Sequence, residues 1–458
     1  MTRPARTALR RLRSLTGCLL WLAASPLAAA PPLPEPLTLQ DALLMAGDSH
    51  PLMAASRAQL EGVEASAAQT FAEDDVDIGA ILEGRVIQPS DYALDKSHND
   101  STASLYARKR LYDFGRTDAR EAAAESSVTG GKLRFTADMT RYRINIMQAF
   151  FSVLLADLEY ARDNEAMAVA YVEADRLRDR NELGQTSDVQ LLEQENTYQE
   201  LRMQRLRSQA SQRSSRARLA QLLDHPDDLP ATLAAPDLAA NDRPLPEYDY
   251  LVAAALAHNP RVLSLKADLE AARLRIKAER AGSRPVLSGS VSSMASHRDL
   301  SSRNPFEAEL RLDIPLYRGD RVDAGVARAQ ADMHSVAASL QQLEYDLRQD
   351  LLDLWLNIQT LLAQREQVKV SHDYRSLDFD RAQALYELQV KTDFGESLVG
   401  QSKAALLAAR TEYALALDWA RLSALTGQPY SPYLQLPSPA STEAPASTGN
   451  PHAETLDR

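Results

Sequence analysis

Proline is missing from Arg116 to His225 and again from Leu316 to Gln428, although the 458-residue chain holds 23 prolines. Proline breaks helix interiors, so two such gaps predict uninterrupted helix. Aromatic residues are scarce, at 6%. Ala, Leu, Gln, Glu and Arg crowd the gaps instead, a composition that excludes an all-β sandwich or barrel and favours long helices. One cysteine, Cys18, excludes a disulfide framework within the chain. No segment supplies the roughly 18 consecutive apolar residues of a membrane-spanning helix. The eight histidines are scattered, and there is no His-Glu-x-x-His, no nucleophile elbow and no metal-ligand spacing. Gly130-Gly131-Lys132 is a fragment of a phosphate loop, but it lacks the earlier glycine and the hydroxyl after lysine. The sequence therefore points to no enzyme and to no cofactor.

The formal net charge is −12, and five arginines precede the first acid, Glu35. Without them the balance is more acidic still, which excludes nucleic acid as a main partner. Those arginines, the apolar run Leu15 to Leu27 and Ala28 to Ala30 read as an export signal over residues 1–30. Leu15-Thr16-Gly17-Cys18 is similar to a lipoprotein processing box, yet the main apolar run follows Cys18 rather than preceding it. Lipidation and removal of Cys18 with the signal both stay open.

The chain repeats itself once. Leu111-Tyr112 recurs as Leu316-Tyr317, an offset of 205 (316 − 111), and at that offset Arg116, Asp118 and Ala119 meet Arg321, Asp323 and Ala324. Phe150 then falls on Trp355, Val153 on Ile358, and Asp188 on Asp393. A colinear series of this kind marks a duplication. Each half opens with a helical lead-in, Ala42 to Pro51 and Leu251 to Pro260. The division expected is a signal at 1–30, a first repeat at 31–224, a connector at 225–248 with five prolines, a second repeat at 249–428 and a loose tail at 429–458.

Each proline-free run has one place to turn back: Asn181 to Asp188 in the first and Gln389 to Asp393 in the second. Gly184 suits a left-handed helix end, and Ser187 or Thr392 suits the next cap. An ascending arm of about 65 residues at 1.5 Å each is roughly 100 Å long. Such a helix must pack sideways, as the spacing of Ile146, Phe150, Val153 and Leu154 and of Leu347, Leu351, Leu354 and Ile358 implies.

Ahead of each long helix the period changes from helical to two. Phe306 to Ile314 alternates strictly between apolar and charged residues, and Val76 to Val86, Ser101 to Tyr112 and Val286 to Met294 are its expected companions. Four strands cannot close a barrel, and lipid tolerates no open sheet edge. Several chains must share one.

In this arrangement the chain resembles the TolC-like outer-membrane factors. The resemblance rests on Pro51 and Pro260, Leu111-Tyr112-Asp113-Phe114-Gly115-Arg116, Ile314-Pro315-Leu316-Tyr317, Gly184 with Ser187, and Thr392-Asp393-Phe394 followed by Leu398 and Gln401. It implies a mainly α fold with a membrane β part: a homotrimer with four strands per chain in a 12-stranded outer-membrane barrel and long helical hairpins forming a periplasmic tunnel. It also implies passive conduction for a tripartite efflux or type I secretion system. The partners would be outer-membrane lipid, an inner-membrane transporter and a periplasmic adaptor. The adaptor would dock at the tips, Leu183, Gly184, Gln185, Thr186 and Ser187 in the first hairpin and Leu388, Gln389, Val390, Lys391 and Thr392 in the second. Aperture candidates are Asp188, Glu193, Asp393 and Glu396; at Val399 and Ser402, where the family often carries an acid and an arginine, this chain has neither. The second tip also lacks a counterpart of Gly184. The competing reading is a soluble periplasmic coiled-coil adaptor or scaffold, which has no use for a lipid-facing strand.

Overall fold

In the computed structural model the described residues are 33–47, 50–298, 304–388, 393–429 and 432. The expectations placed on residues 1–30, on Cys18 and on the tail beyond residue 432 lie outside them, as do Gln389, Val390, Lys391 and Thr392 at the second tip.

The elements in chain order are helices α1 (Leu39–Leu44) and α2 (Pro51–Ala72), strands β1 (Asp77–Glu83) and β2 (Thr102–Tyr112), then helices α3 (Arg116–Glu182) and α4 (Asp188–Leu222). The second half repeats the plan with α5 (Tyr248–His258), α6 (Pro260–Arg280), β3 (Val286–Ser296), β4 (Phe306–Asp313), α7 (Arg321–Glu387) and α8 (Phe394–Thr426). Both α3 and α7 have 67 residues. They begin and end at the same 205-residue offset read from the sequence. At 1.5 Å per residue each is about 100 Å long.

Pro51 and Pro260 start helices rather than end them. Each occupies the first turn, where its missing N–H costs nothing. His50 and Asn259 cap these helices through side-chain acceptors. The lead-ins expected to run to the prolines are therefore shorter, and two helices of 22 and 21 residues follow them.

On one flank α3 packs against α2 and α4, and on the other against α6 and α8. Beyond them α7 packs on α6 and α8, and its far flank makes no extended contact with another long helix among the described residues. The short helices stack end to end. Asn259 Nδ2 donates to the Leu425 carbonyl at the end of α8 (2.8 Å), so α8 and α6 run as one interrupted rod.

The densest core lies at mid-height, where α1, α5 and the connector strap the outside of the long helices. Equivalent positions fill it: Tyr142, Ile146, Ala149, Val153 and Ala156 on α3 and Leu347, Leu351, Leu354, Ile358 and Leu361 on α7 are all buried. The connector does more than span the surface. Leu233 and Leu238 pack on the first cluster, Leu37 bridges to Leu233, and Trp355 Nε1 donates to the Pro246 carbonyl (3.0 Å).

Candidate functional site

The four strands form one antiparallel sheet in the order β1-β2-β3-β4, with β1 and β4 at the edges. Residues directly opposite each other share a face, so the register assigns every side chain to one of two sides. Ile78 pairs with Ala107, Ala80 with Leu105 and Leu82 with Ala103. The same face continues through Val291 opposite both Ala107 and Ala308, Gly289 opposite Leu310, and Leu287 opposite Leu312, and it also carries Ser293 opposite Leu105 and one charge, Lys109 opposite Gly289. The other face is mostly polar: it carries Asp77, Glu83, Tyr106, Arg108, a ladder of serines on β3, and Glu307, Glu309, Arg311 and Asp313 on β4, with Ile81 and Met294 among them. The apolar face is uncovered: Ile78 is 75% exposed, Leu82 82% and Leu310 69%. A largely apolar face this exposed is of the kind that another apolar surface covers. At 7 to 11 residues the strands have the length of tilted bilayer strands.

At the opposite end, the first hairpin tip is built by local hydrogen bonding. Gly184 takes φ +75°, the region open to glycine, and Gln185 N–H donates to the Arg180 carbonyl (2.8 Å). Ser187 caps α4 in a capping box with Gln190. Asn181 Nδ2 donates across the turn to the Thr186 carbonyl (3.2 Å) and to Asp188 Oδ1 (3.0 Å). Leu183 and Gln185 are exposed and Thr186 half-buried. Asp188 is thus partly committed to closing its own turn, whereas the Glu193 side chain points to solvent without a hydrogen bond among the described residues.

The second tip is closed differently. Leu388 ends α7 and is exposed, and Asp393, not Thr392, is the N-cap of α8, with no side-chain cap bond. Phe394 instead packs between Tyr386 (5.3 Å, stacked) and Phe379 (5.5 Å). One residue on, Gly395 lies so close to α3 that a Cβ there would stand 2.5 Å from Val169 Cγ1. The sequence showed only isolated aromatics and a glycine here; their meeting depends on the α3–α8 contact. Asp393 and Glu396 are exposed. No hydrogen bond or ion pair among the described residues joins them to Asp188 or Glu193. Ser402 donates to Glu165 on α3.

Gly130 and Gly131 lie inside α3, with their peptide groups committed to the helix, so the phosphate-loop reading fails. They serve packing. The buried Ser264 hydroxyl of α6 donates to the Gly130 carbonyl (2.8 Å). Among the described residues no three His, Cys, Asp or Glu side chains group to hold a metal, and no helix is long and apolar enough to cross a membrane.

A duplicated chain of long helical hairpins carrying one four-stranded sheet with a largely apolar face is an architecture shared with known proteins. Residues 251–428 match the family described as outer membrane efflux protein, so the second repeat is a domain of that family. The described chain as a whole has the TolC-like channel fold. It is similar to the outer membrane protein VceC of Vibrio cholerae, at 18% identity and TM-score 0.67, over 86% of this chain and 97% of that one. The CmeC outer membrane channel of Campylobacter jejuni matches at 13% identity and TM-score 0.71, over 85% of each chain. The MtrE outer membrane channel of Neisseria gonorrhoeae, in its open state, matches at 14% and 0.67, over 86% and 89%. Among curated proteins none matches the chain by sequence.

Proposed function

We propose that three copies of this chain form one outer-membrane export channel, whose barrel receives four strands from each and whose helices extend the conduit through the periplasm. The observation that carries the reading is the sheet: one face is largely apolar and bare, and both edges, β1 and β4, lack a neighbour among the described residues. Lipid against that face and a second copy against each edge satisfy both at once. The helices ask for the same neighbour. Val370, Tyr374 and Leu377, spaced i, i+4, i+7 on α7, are exposed, as are Val189, Leu192 and Leu206 on α4. In a ring, the bare flank of α7 meets the free flank of the next copy's α2 and α4.

Conduction is passive in this reading, and the chain catalyses no reaction. Energy comes from an inner-membrane transporter, of a tripartite efflux or type I secretion system. A periplasmic adaptor docks at the tips, on Leu183 to Ser187 and Leu388 to Thr392. Under threefold symmetry Asp188, Glu193, Asp393 and Glu396 each occur three times near the periplasmic mouth, where acidic rings favour cations. A soluble scaffold would leave the apolar sheet face in water.

The test is the mass and detergent dependence of the purified mature protein, by light scattering after membrane fractionation. A trimer extracted from the outer membrane only with detergent is expected. A detergent-free soluble monomer or dimer overturns the proposal.

A further inference from the structure

At mid-height, where α8 ends and α6 begins, the interrupted rod leaves an opening between α3 and α7. It is a cleft of about 740 Å³. It borders the buried core: its α3 residues Arg141, Asn145 and Gln148 are exposed and stand about a quarter-turn from the buried Tyr142, Ile146 and Ala149, and the buried Ile144 also lines it. On α7, Asp350 and Asp353 stand beside the buried Leu347, Leu351 and Leu354 in the same way.

Charge is divided across this cleft. The α7 wall offers the carboxylates of Asp350 and Asp353, and Arg141 of α3 and Arg261 at the start of α6 face into the same space. None of the four has an ion-pair partner among the described residues, and Asp353 accepts one hydrogen bond, from Gln349 Nε2 on its own helix (2.9 Å). Ile144, Leu354 and Leu425 supply an apolar floor. At the back, Asp418 is 2% exposed and is held by Asn357 Nδ2 (2.5 Å) and Arg421 (2.9 Å), which fixes the α7–α8 geometry behind the opening.

The internal duplication shows that helix building does not require this charge pattern. At the 205-residue offset the buried positions stay apolar, Tyr142 against Leu347 and Ile146 against Leu351. Facing the cleft, however, Asp350 and Asp353 are the counterparts of Asn145 and Gln148. The core was kept in both copies, and of the two long helices only α7 turns acids into the cleft.

We infer that this cleft is a binding site for small zwitterions with an apolar body, the cationic group resting on Asp350 and Asp353 and the anionic group on Arg141 and Arg261. A cavity of this size suits a small organic molecule, and oppositely charged walls orient one that carries both signs. The inference rests on the channel reading only in placing the cleft along the conducting path, since the site itself is formed within one chain.

Three fluorescent probes test it on the full-length mature protein in non-ionic detergent: ε-dansyl-lysine as the zwitterion, dansylcadaverine as the cation and dansylglycine as the anion. Saturable binding of ε-dansyl-lysine is expected. It should weaken about tenfold in Asp350→Asn/Asp353→Asn and again in Arg141→Gln/Arg261→Gln, the loss expected for a charge-assisted contact. Dansylcadaverine should respond to the first pair alone and dansylglycine to the second alone. Equal affinities in wild type and both double variants, or partition into micelles only, overturn the site. Light scattering on the same samples keeps the two readings apart. A trimer whose binding ignores the variants refutes the cleft, whereas variant-sensitive binding by a monomer refutes the channel.

Discussion

Gly130 and Gly131 are neighbours on α3, both buried, yet they should respond oppositely to the same substitution. Gly130 faces α6: an added Cβ would stand 2.8 Å from Asp268 Oδ1 and 3.3 Å from the Ser264 carbonyl oxygen. The second of these is backbone and cannot swing aside, and the Asp268 carboxylate is held by Arg134 at 3.2 Å. Making room therefore strains the buried bond from Ser264 Oγ to the Gly130 carbonyl, worth roughly 1 kcal/mol, and adds overpacking of about 1–3 kcal/mol. Alanine returns about 1 kcal/mol of helix propensity. Gly130→Ala should thus destabilise by about 1–3 kcal/mol. Gly131 faces α2, where the nearest atom to an added Cβ is Leu60 Cδ1 at 3.3 Å, the far end of a flexible side chain. There the propensity gain is largely kept, and Gly131→Ala should be neutral or stabilising by up to about 1 kcal/mol. A difference of about 2 kcal/mol, if it falls on the unfolding barrier, is roughly 30-fold in rate. The assay is loss of helical circular dichroism at fixed temperature for the purified protein in detergent. A Gly130→Ala protein that survives as long as Gly131→Ala refutes the backbone-to-backbone reading of the α3–α6 contact.

Leu310→Lys places a charge on the apolar sheet face and should cost about 2–4 kcal/mol at mid-bilayer, whereas Glu309→Lys on the opposite face should be tolerated; outer-membrane yield of the assembled protein distinguishes them. At the first tip, Gly184→Ala should cost about 1–2 kcal/mol through φ alone, because no atom lies within 4 Å, and Ser187→Ala about 1 kcal/mol through the lost cap. Hydrogen exchange over residues 185–192 should accelerate in both variants, more than over the buried middle of α3 and α7. Burial pushes the Asp418 carboxyl above the usual carboxylate range, against the opposing pull of Asn357 and Arg421. A raised folded-state value means that its contribution is fully present below the unfolded value of 3.8 and is lost as pH rises through the folded one. Asp418→Asn should therefore gain stability relative to wild type across that window, read as the difference in unfolding temperature at several pH values; a constant difference contradicts it.

Much of the fold was legible because its signals are local. A proline-free run is helix wherever it lies, Gly184 and Ser187 carry their turn within eight residues, and strict alternation in Phe306 to Asp313 marks a two-faced strand. Duplication extended this reach, since one offset of 205 places both long helices with the same bounds. The helices after Pro51 and Pro260 escaped notice, because a proline that ends one helix and one that starts the next look alike in sequence. The second tip was also beyond local reading. Phe379, Tyr386 and Phe394 are separated by a chain reversal, and Gly395 has no apparent task until Val169 of α3 is set against it.

The sequence by itself determined the class of protein: the long helices, the strands ahead of them and the repeat are written in period, spacing and composition, which depend on neighbours along the chain. Only tertiary structure decided which residues share a face or a cleft. The apolar side of the sheet emerges when four separate strands are set in register, and Arg141, Arg261, Asp350 and Asp353 converge only because three helices meet where a fourth is interrupted. Such convergence depends on distances across the fold, and no local pattern encodes those.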